Sequence, residues 1–191
     1  METEFAAGAL AVQVVVIAQP PVSLEPVSFE DVPLRETLKA VLAAPVTRRV
    51  LVLAGAGEDW LPAGFDLLGL RGANYGERIA AALADAHATA ALPMLLIRSD
   101  TLGVGRDMVE DAARSLISAE ADSVFGPAFD GGFWLLGLRR PDRSLVAGIP
   151  APGDGAGPGA GRVLLERLAS AGLRVAIAPR LEVAGASALR F

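Results

Sequence analysis

The sequence predicts a three-layer α/β/α fold with a mostly parallel β-sheet, formed by a single domain over residues 1–191. Short apolar runs alternate along the chain with amphipathic helical stretches. Strands that are apolar throughout need cover on both faces of their sheet, which is typical of parallel sheets flanked by helices. A chain of 191 residues with 52% hydrophobic residues is long enough for one core and short for two domains.

Six strands and four helices are predicted, in alternation over most of the chain. The strands are expected at residues 12–18, 49–54, 94–99, 123–127, 133–139 and 173–178. The helices are expected at residues 34–44, 75–90, 105–119 and 161–171. Only five residues join the strands at 123–127 and 133–139, too few for a parallel crossover. A hairpin, or a strand that turns back along the sheet, is therefore predicted near 123–139.

Composition excludes several classes of site and partner. The chain has no cysteine and one histidine, which excludes disulfides, thiol catalysis and multi-histidine metal centres. The net charge of −5, with no basic stretch, argues against nucleic acid and anionic membranes as partners. No apolar segment reaches the roughly 18 to 20 residues that span a bilayer. Glu2 and Glu4 stand where a signal peptide carries positive charge, so the sequence predicts a soluble, cytoplasmic protein.

Asp100 directly follows a strand that is expected to be buried. Ligands of parallel sheets collect at the carboxyl ends of the strands, and a carboxylate placed there can hold a divalent metal. Alternatively, Asp100 only opens a turn or caps the next helix.

Asp130, Gly131 and Gly132 form a second candidate site. Consecutive glycines let a backbone approach a ligand closely, and the acid can accept sugar hydroxyls or act as a base. Asp-Gly is also a favoured hairpin-turn dipeptide, and the local pattern alone favours the turn. A third candidate is the glycine-containing loop that enters a helix at Gly76, Glu77 and Arg78, because free N–H groups there suit anions. Glu77 and Arg78 fit a solvated first turn equally well.

Three sequence blocks are similar to a known family: Gly-Glu-Arg-Ile-Ala at 76–80, Leu-Ile-Arg-Ser-Asp-Thr at 96–101, and Phe-Gly-Pro-Ala-Phe-Asp-Gly-Gly-Phe-Trp-Leu-Leu-Gly-Leu at 125–138. They resemble the small GT-A-type glycosyltransferase-like family often called selenodomain-associated transferases. Together with the strand order, the resemblance covers roughly residues 48–150. The longest block, at 125–138, is the most specific to the family.

The resemblance implies a GT-A-type sheet that binds a nucleotide-diphospho-sugar and transfers the sugar with the help of Mg²⁺ or Mn²⁺. By position, Asp100 matches a metal-binding acid, and Glu182 is the second metal candidate. Asp130 would be the catalytic carboxylate, and it would lie in a turn with Gly131 and Gly132 that faces the donor or acceptor. Residues 76–78 would border the nucleotide. The chemistry would be displacement at the anomeric carbon, with the metal stabilising the departing diphosphate.

The sequence departs from the family pattern at three places. The first loop, residues 19–31, carries three acids and no basic residue where the family gathers phosphate. Residues 182–184 are Glu-Val-Ala instead of Asp-Val-Asp, which replaces one metal ligand by a methyl group. Arg98 stands where glycine is common. Arg98 would either bind substrate phosphate or form a salt bridge with Asp100.

Two main hypotheses follow, and the sequence leaves open whether the protein is an enzyme. The first is a metal-dependent glycosyltransferase with a nucleotide-sugar donor. The second is a catalytically degenerate binding or scaffold protein of the same fold, which predicts an apolar patch and a homo-oligomer. Nucleotidyl transfer is a third and less favoured hypothesis. The sugar, the base and the acceptor are not identified by the sequence.

Overall fold

A computed structural model describes residues 8–18, 32–54, 63–152 and 159–184. Its strands are β1 (Leu10–Ala18), β2 (Val46–Leu53), β3 (Asp66–Gly69), β4 (Met94–Arg98), β5 (Ser123–Pro127), β6 (Phe133–Leu138) and β7 (Val175–Ile177). Its α-helices are α1 (Val32–Ala43), α2 (Tyr75–Thr89), α3 (Arg106–Ile117) and α4 (Ala160–Ser170). A short 3₁₀ turn covers Arg143–Leu145.

All seven strands join one sheet in the order β3-β2-β1-β4-β6-β5-β7. Strand β6 runs antiparallel to both of its neighbours, β4 and β5, and the other pairings are parallel. The predicted fold class is therefore confirmed, including the antiparallel element near 123–139. The short β5–β6 connection forces the reversal, because a parallel crossover needs a dozen or more residues.

Helices cover both faces of the sheet and divide the core into two layers. Helices α1 and α3 pack on one face, against β1 residues such as Val14 and Val16. Helices α2 and α4 pack on the other, against Val15 and Ile17. Successive side chains of a strand point to opposite faces, so a strand buried between two helical layers is apolar at most positions. In β1 the buried Gln13 is an exception, and its side-chain amide donates to the carbonyl of Ala90 at 2.7 Å. In the part of the chain that the structure describes, no helix combines the length and the apolarity needed to cross a membrane.

Two elements differ from the sequence-based prediction. Strand β3, with only four residues, was not predicted; it lies at the sheet edge and carries Asp66 and Gly69, which are poor strand formers. Strand β2 begins at Val46, three residues earlier than predicted, and includes Arg48 and Arg49. These arginines are accommodated because Arg48 pairs with Asp66, while Arg49 donates to carbonyls at the end of α1. The predicted acidic loop at 19–31 lies outside the described residues.

An ion pair joins β5 to the edge strand β7. Asp122 accepts hydrogen bonds from Arg174 Nε and Nη2 at 2.9 and 3.0 Å, and these bonds lower the pKa of Asp122 to about 2. A lowered folded-state pKa means that the stabilisation is present above the ordinary pKa of about 3.9 and is lost as the pH falls toward 2.

We expect Asp122→Asn to lower the melting temperature slightly at pH 7, with the difference from the unmodified protein closing between about pH 4 and pH 2. Thermal unfolding followed by circular dichroism across that range measures it. Asp111→Asn removes an exposed acid of α3 that has no ion pair among the described residues, and should show no such closing difference. If the difference in melting temperature between Asp122→Asn and the unmodified protein stayed constant with pH, the lowered pKa of Asp122 would be wrong.

Candidate functional site

The carboxyl ends of the parallel strands form one edge of the molecule, called here the carboxyl edge. Strand β4 ends there at Arg98, and the antiparallel strand β6 begins there at Phe133. Helices α2 and α4 also begin at this edge, because each helix returns the chain from it to the opposite edge before the next parallel strand. The site is therefore built from segments far apart in sequence.

Arg98 and Asp100 are held together at the end of β4. Arg98 donates from Nε to Asp100 Oδ1 at 2.9 Å and from Nη2 to Asp100 Oδ2 at 2.6 Å. This is a two-bond contact between a planar guanidinium and both oxygens of one carboxylate. The hydroxyl of Thr101 donates to the carbonyl of Arg98 at 2.8 Å and fixes the turn that brings Asp100 back toward its own strand.

Asp130 approaches the same guanidinium from the β5–β6 turn. Arg98 Nη1 donates to Asp130 Oδ2 at 2.9 Å and to the carbonyl of Phe133 at 3.4 Å. Asp130 Oδ1 accepts the backbone N–H of Gly132 at 2.9 Å. Arg98, Asp100 and Asp130 are called here the acid–guanidinium cluster. The side chains of Arg98 and Asp130 are each 10% exposed, whereas that of Asp100 is 37% exposed.

Burial and charge act in opposite directions on Arg98. Burial alone lowers the pKa of the guanidinium, but its hydrogen bonds to Asp100 and the charges of both acids outweigh burial, so the net pKa is raised. Arg98 is therefore a permanent cation. The three side chains sum to one negative charge when both acids are ionised.

Tyr75, the first residue of α2, lies against this cluster. Its hydroxyl is buried and has no hydrogen-bond partner among the described residues. Burial raises the pKa of Tyr75, and the charges of Asp100 and Asp130 act in the same direction, while Arg98 opposes them. The ring meets Phe133 edge to face, with 6.4 Å between ring centroids. Tyr75 thus presents a neutral phenol to the cluster.

The turn at Asp130, Gly131 and Gly132 is the hairpin turn that its sequence predicted, and its ligand-facing role stays a prediction. It is the hairpin turn between β5 and β6, with the carbonyl of Gly132 accepting from Ala128 at 3.1 Å. Gly131 adopts a positive φ of 80°, which favours glycine, and its carbonyl accepts the N–H of Gly161 in α4 at 3.0 Å. The start of α4 is thus capped by the turn, since its N-cap residue Gly159 makes no side-chain cap.

Residues 182–184 lie alongside Asp100. Leu102 N–H donates to the carbonyl of Glu182 at 2.9 Å, and Ala184 N–H donates to the carbonyl of Asp100 at 2.7 Å. Between them Val183 forms an antiparallel bridge with Thr101 and is buried, whereas Glu182 is exposed. Ala184, which replaces an acid of the family pattern, is thus the residue hydrogen-bonded to the main chain of Asp100.

The described residues do not fit the implied Mg²⁺ or Mn²⁺ in this arrangement. Both oxygens of Asp100 already accept hydrogen bonds from Arg98, and no third acid joins the cluster. Within the described ranges, no group of three or more His, Cys, Asp or Glu side chains could hold a metal ion. The predicted metal role of Asp100 would require Arg98 to move away, and the metal role of Glu182 stays a prediction. Of the two arrangements predicted for Arg98, the structure has the salt bridge with Asp100.

The third predicted segment, at the start of α2, makes local contacts. Asn74 caps the helix by accepting the N–H of Glu77 at 3.0 Å, and the Glu77 carboxylate accepts in return from Ala73 N–H and from the Asn74 amide. Arg78 Nε donates to the carbonyl of Gly72 at 3.3 Å. Gly76 is so close to the 146–149 backbone that a Cβ would lie 2.7 Å from Ile149 N. The binding roles of Gly76, Glu77 and Arg78 stay predictions, and the hydrogen bonds described for Glu77 and Arg78 are all to residues 72–74.

Two features of the carboxyl edge were missed by sequence reasoning. The sequence pattern predicts Tyr75 only as the start of a helix, although a helix that precedes a parallel strand begins at the ligand-binding edge. Phe129 is 59% exposed beside Asp130, with the guanidinium carbon of Arg180 5.5 Å from its ring centroid. An aromatic residue directly before the Asp-Gly-Gly turn was the available signal for Phe129. No local signal pointed to Arg180.

Residues 37–151 match the model of a family described as "Uncharacterized protein conserved in bacteria (DUF2064)". The chain belongs to this family. The matched region contains β2 to β6 and the whole acid–guanidinium cluster. None of the curated proteins matches the chain.

Solved structures with the same fold come from several organisms. A Desulfovibrio desulfuricans G20 protein, named provisionally as a nucleotide-diphospho-sugar transferase, is 20% identical with a TM-score of 0.70; 91% of this chain and 81% of that one are covered. The Mycobacterium tuberculosis H37Rv protein Rv0371c in complex with manganese is 18% identical with a TM-score of 0.59; 88% of each chain is covered. A Pyrobaculum calidifontis mannosyltransferase in complex with GDP-Man and Mn²⁺ is 16% identical with a TM-score of 0.58; 96% of this chain and 59% of that one are covered.

These similarities establish the fold of a nucleotide-diphospho-sugar transferase of GT-A type for this DUF2064 member. At such identities a shared fold does not carry a shared reaction, because function depends on the site that each fold supports. The acid–guanidinium cluster is therefore the basis for a functional proposal.

Proposed function

We propose that the chain binds a nucleotide-diphospho-sugar at the carboxyl edge, next to the acid–guanidinium cluster. The observation that carries the proposal is the convergence of Arg98, Asp100 and Asp130 from two distant segments onto the edge where ligands of open parallel sheets bind. The Pyrobaculum calidifontis mannosyltransferase, which has the same fold, was solved with GDP-Man. Buried charges gathered at such an edge are typical of functional sites.

The residues around the cluster suggest how the sugar would be held. Asp100 is the most exposed member of the cluster, and each of its oxygens, which accepts one hydrogen bond from Arg98, has a second lone pair that could accept from a sugar hydroxyl. The exposed ring of Phe129, backed by Arg180, offers an apolar face to a sugar ring on the other side of the turn. A Cβ added at Gly131 would meet nothing within 4 Å, so the turn leaves open space at that residue. The nucleotide is expected on the side of Gly76, Glu77 and Arg78.

A thermal-shift panel of UDP-, GDP-, ADP-, CDP- and dTDP-sugars tests the binding. At about a hundred times its dissociation constant, the correct ligand should raise the melting temperature by about 5–10 °C for a domain of this size. Asp100→Asn should lose the shift, and the exposed control Asp111→Asn should keep it. If none of the five nucleotide-sugar classes raises the melting temperature of the folded protein at saturating concentration, the proposal of nucleotide-sugar binding is wrong.

Sugar transfer to an acceptor is the second candidate, favoured by the position of Asp130 at the turn. In the described geometry both Asp130 oxygens are hydrogen-bonded, one to Arg98 and one to Gly132. A general base must be free to accept a proton, so Asp130 would act only after Arg98 moved away. Release of nucleoside diphosphate from the bound ligand would separate the two candidates. Loss of that release in Asp130→Asn would support transfer; its absence in the unmodified protein would support a degenerate binding protein.

A homo-oligomer and a cytoplasmic location stay predictions.

A further inference from the structure

We propose that Arg98 is the resident cation of the carboxyl edge and that it keeps divalent metal ions out of the acid pair. The inference goes beyond the ligand proposed above, because its first test uses Mn²⁺ alone. It rests on the contacts of the Arg98 side chain, on the depth at which that side chain is held, and on the residue that stands beside Asp100.

The contacts of Arg98 use the carboxylate oxygens that a metal would need. Both Asp100 oxygens accept from the guanidinium, at 2.9 and 2.6 Å, and Asp130 Oδ2 accepts from it at 2.9 Å. The fourth oxygen, Asp130 Oδ1, accepts from Gly132 N–H. Mg²⁺ and Mn²⁺ bind carboxylate oxygens directly. A dication placed between Asp100 and Asp130 would therefore have to replace the guanidinium or lie against its positive charge.

The position of Arg98 is fixed by the sheet and by the turn. Its main chain pairs with Ile17 of β1, and its carbonyl accepts from the Thr101 hydroxyl. The side chain is only 10% exposed and makes a further contact with the Phe133 carbonyl. Moving the guanidinium into solvent would break every one of these side-chain hydrogen bonds and leave the buried Asp130 without a charge partner.

The residue beside Asp100 offers no replacement ligand. Ala184 donates its N–H to the Asp100 carbonyl, so its side chain branches from the main chain next to Asp100 and is a methyl group. Arg98 and Ala184 thus act in the same sense: one supplies a fixed positive charge, and the other removes a metal-binding oxygen. The chain keeps two acids at this edge and offsets one of their two negative charges with the charge of Arg98.

Mn²⁺ titration followed by the electron paramagnetic resonance of free Mn²⁺ tests the inference. We expect no saturable site in the unmodified protein that depends on Asp100. Arg98→Ala frees both acids and should bind one Mn²⁺ per chain, with an affinity at least about tenfold higher than any Mn²⁺ binding by the unmodified protein. The double variant Arg98→Ala/Asp100→Asn should lose this gain. Arg114→Ala is the matched control, because it removes an arginine from Glu110 at an exposed i,i+4 pair and should gain no site.

Every outcome of the Mn²⁺ titration either supports or overturns the role proposed for Arg98. Saturable Mn²⁺ binding by the unmodified protein that disappears in Asp100→Asn would overturn the inference, as would failure of a folded Arg98→Ala to gain a site. If Arg98→Ala does not fold, the comparison of the unmodified protein with Asp100→Asn alone decides: Asp100-dependent binding overturns the inference, and its absence supports it.

A second arm separates this inference from the proposed ligand. If a nucleotide-sugar shifts the melting temperature equally in Mn²⁺ and in EDTA, both proposals are supported. A shift seen only with Mn²⁺ would keep the ligand and overturn the role of Arg98. If no nucleotide-sugar shifts the melting temperature, the proposed ligand is wrong, and the Mn²⁺ titration still tests the role of Arg98.

Discussion

Arg98→Ala is expected to lower the free energy of unfolding by about 3 kcal/mol, the low end of the range for removing one partner from a buried ion pair. The low end applies because Asp100 is 37% exposed, while Asp130, at 10% exposed, would lose its charge partner inside the protein. The loss corresponds to about 6–12 °C in melting temperature for a domain of this size. Urea unfolding and thermal unfolding measure the two quantities.

A double-mutant cycle shows whether the cost arises from the cluster. Asp130→Asn removes the buried charge, so Arg98→Ala/Asp130→Asn should be more stable than the sum of the single losses, by about 1–3 kcal/mol. Arg114→Ala breaks an exposed pair with Glu110 and should cost about 0.5 kcal/mol or less. Simple additivity of Arg98→Ala and Asp130→Asn would refute an interaction between these two side chains.

Gly161→Ala is expected to destabilise the protein although it lies in a helix. Alanine is favoured over glycine in helices by up to about 1 kcal/mol, so helix propensity alone predicts a gain. The added Cβ would lie 2.5 Å from the Gly132 carbonyl oxygen and 3.0 Å from that of Gly131. Both are backbone atoms of the turn that carries Asp130. We expect a net loss of about 1–3 kcal/mol in unfolding free energy and weaker nucleotide-sugar binding.

Gly69→Ala is the matched control for this substitution. An added Cβ at Gly69 meets nothing within 4 Å, so the unfolding free energy should change by about 0.5 kcal/mol or less. Chemical unfolding of Gly161→Ala, Gly69→Ala and the unmodified protein compares the effects directly. A Gly161→Ala protein as stable as Gly69→Ala would mean that α4 does not depend on close contact with the Asp130 turn.

The elements predicted well are those with strong local patterns. Strands β1, β4, β5 and β6 are apolar at most positions, and the prediction lies within two residues of each of their ends. The five-residue connection after β5 was enough to predict the antiparallel strand, since chain length alone forbids a crossover. Strand β3 was missed because its four residues owe their conformation to pairing with β2 rather than to a pattern of their own.

The sequence predicted which residues belong to the candidate site better than it predicted how they contact one another. Asp100 and Asp130 could be identified because each follows or joins buried strands, and their meeting at one edge follows from the sheet order. The choice between phosphate ligand and salt-bridge partner for Arg98 could not be made from sequence. A side chain with five N–H donors can serve either, and the decision depends on which acceptors lie within about 3 Å of it.

The sequence by itself determined the class of fold, the antiparallel reversal and the placing of Asp100 and Asp130 at strand ends, because periodicity and connection length are local properties of the chain. Only the tertiary structure decided that Arg98 lies between Asp100 and Asp130, that Ala184 stands beside Asp100, and that α4 is capped by Gly131. These contacts join residues up to 84 positions apart, as between Asp100 and Ala184. Charge neutralisation depends on distance in space, and that distance is set by how the sheet is assembled.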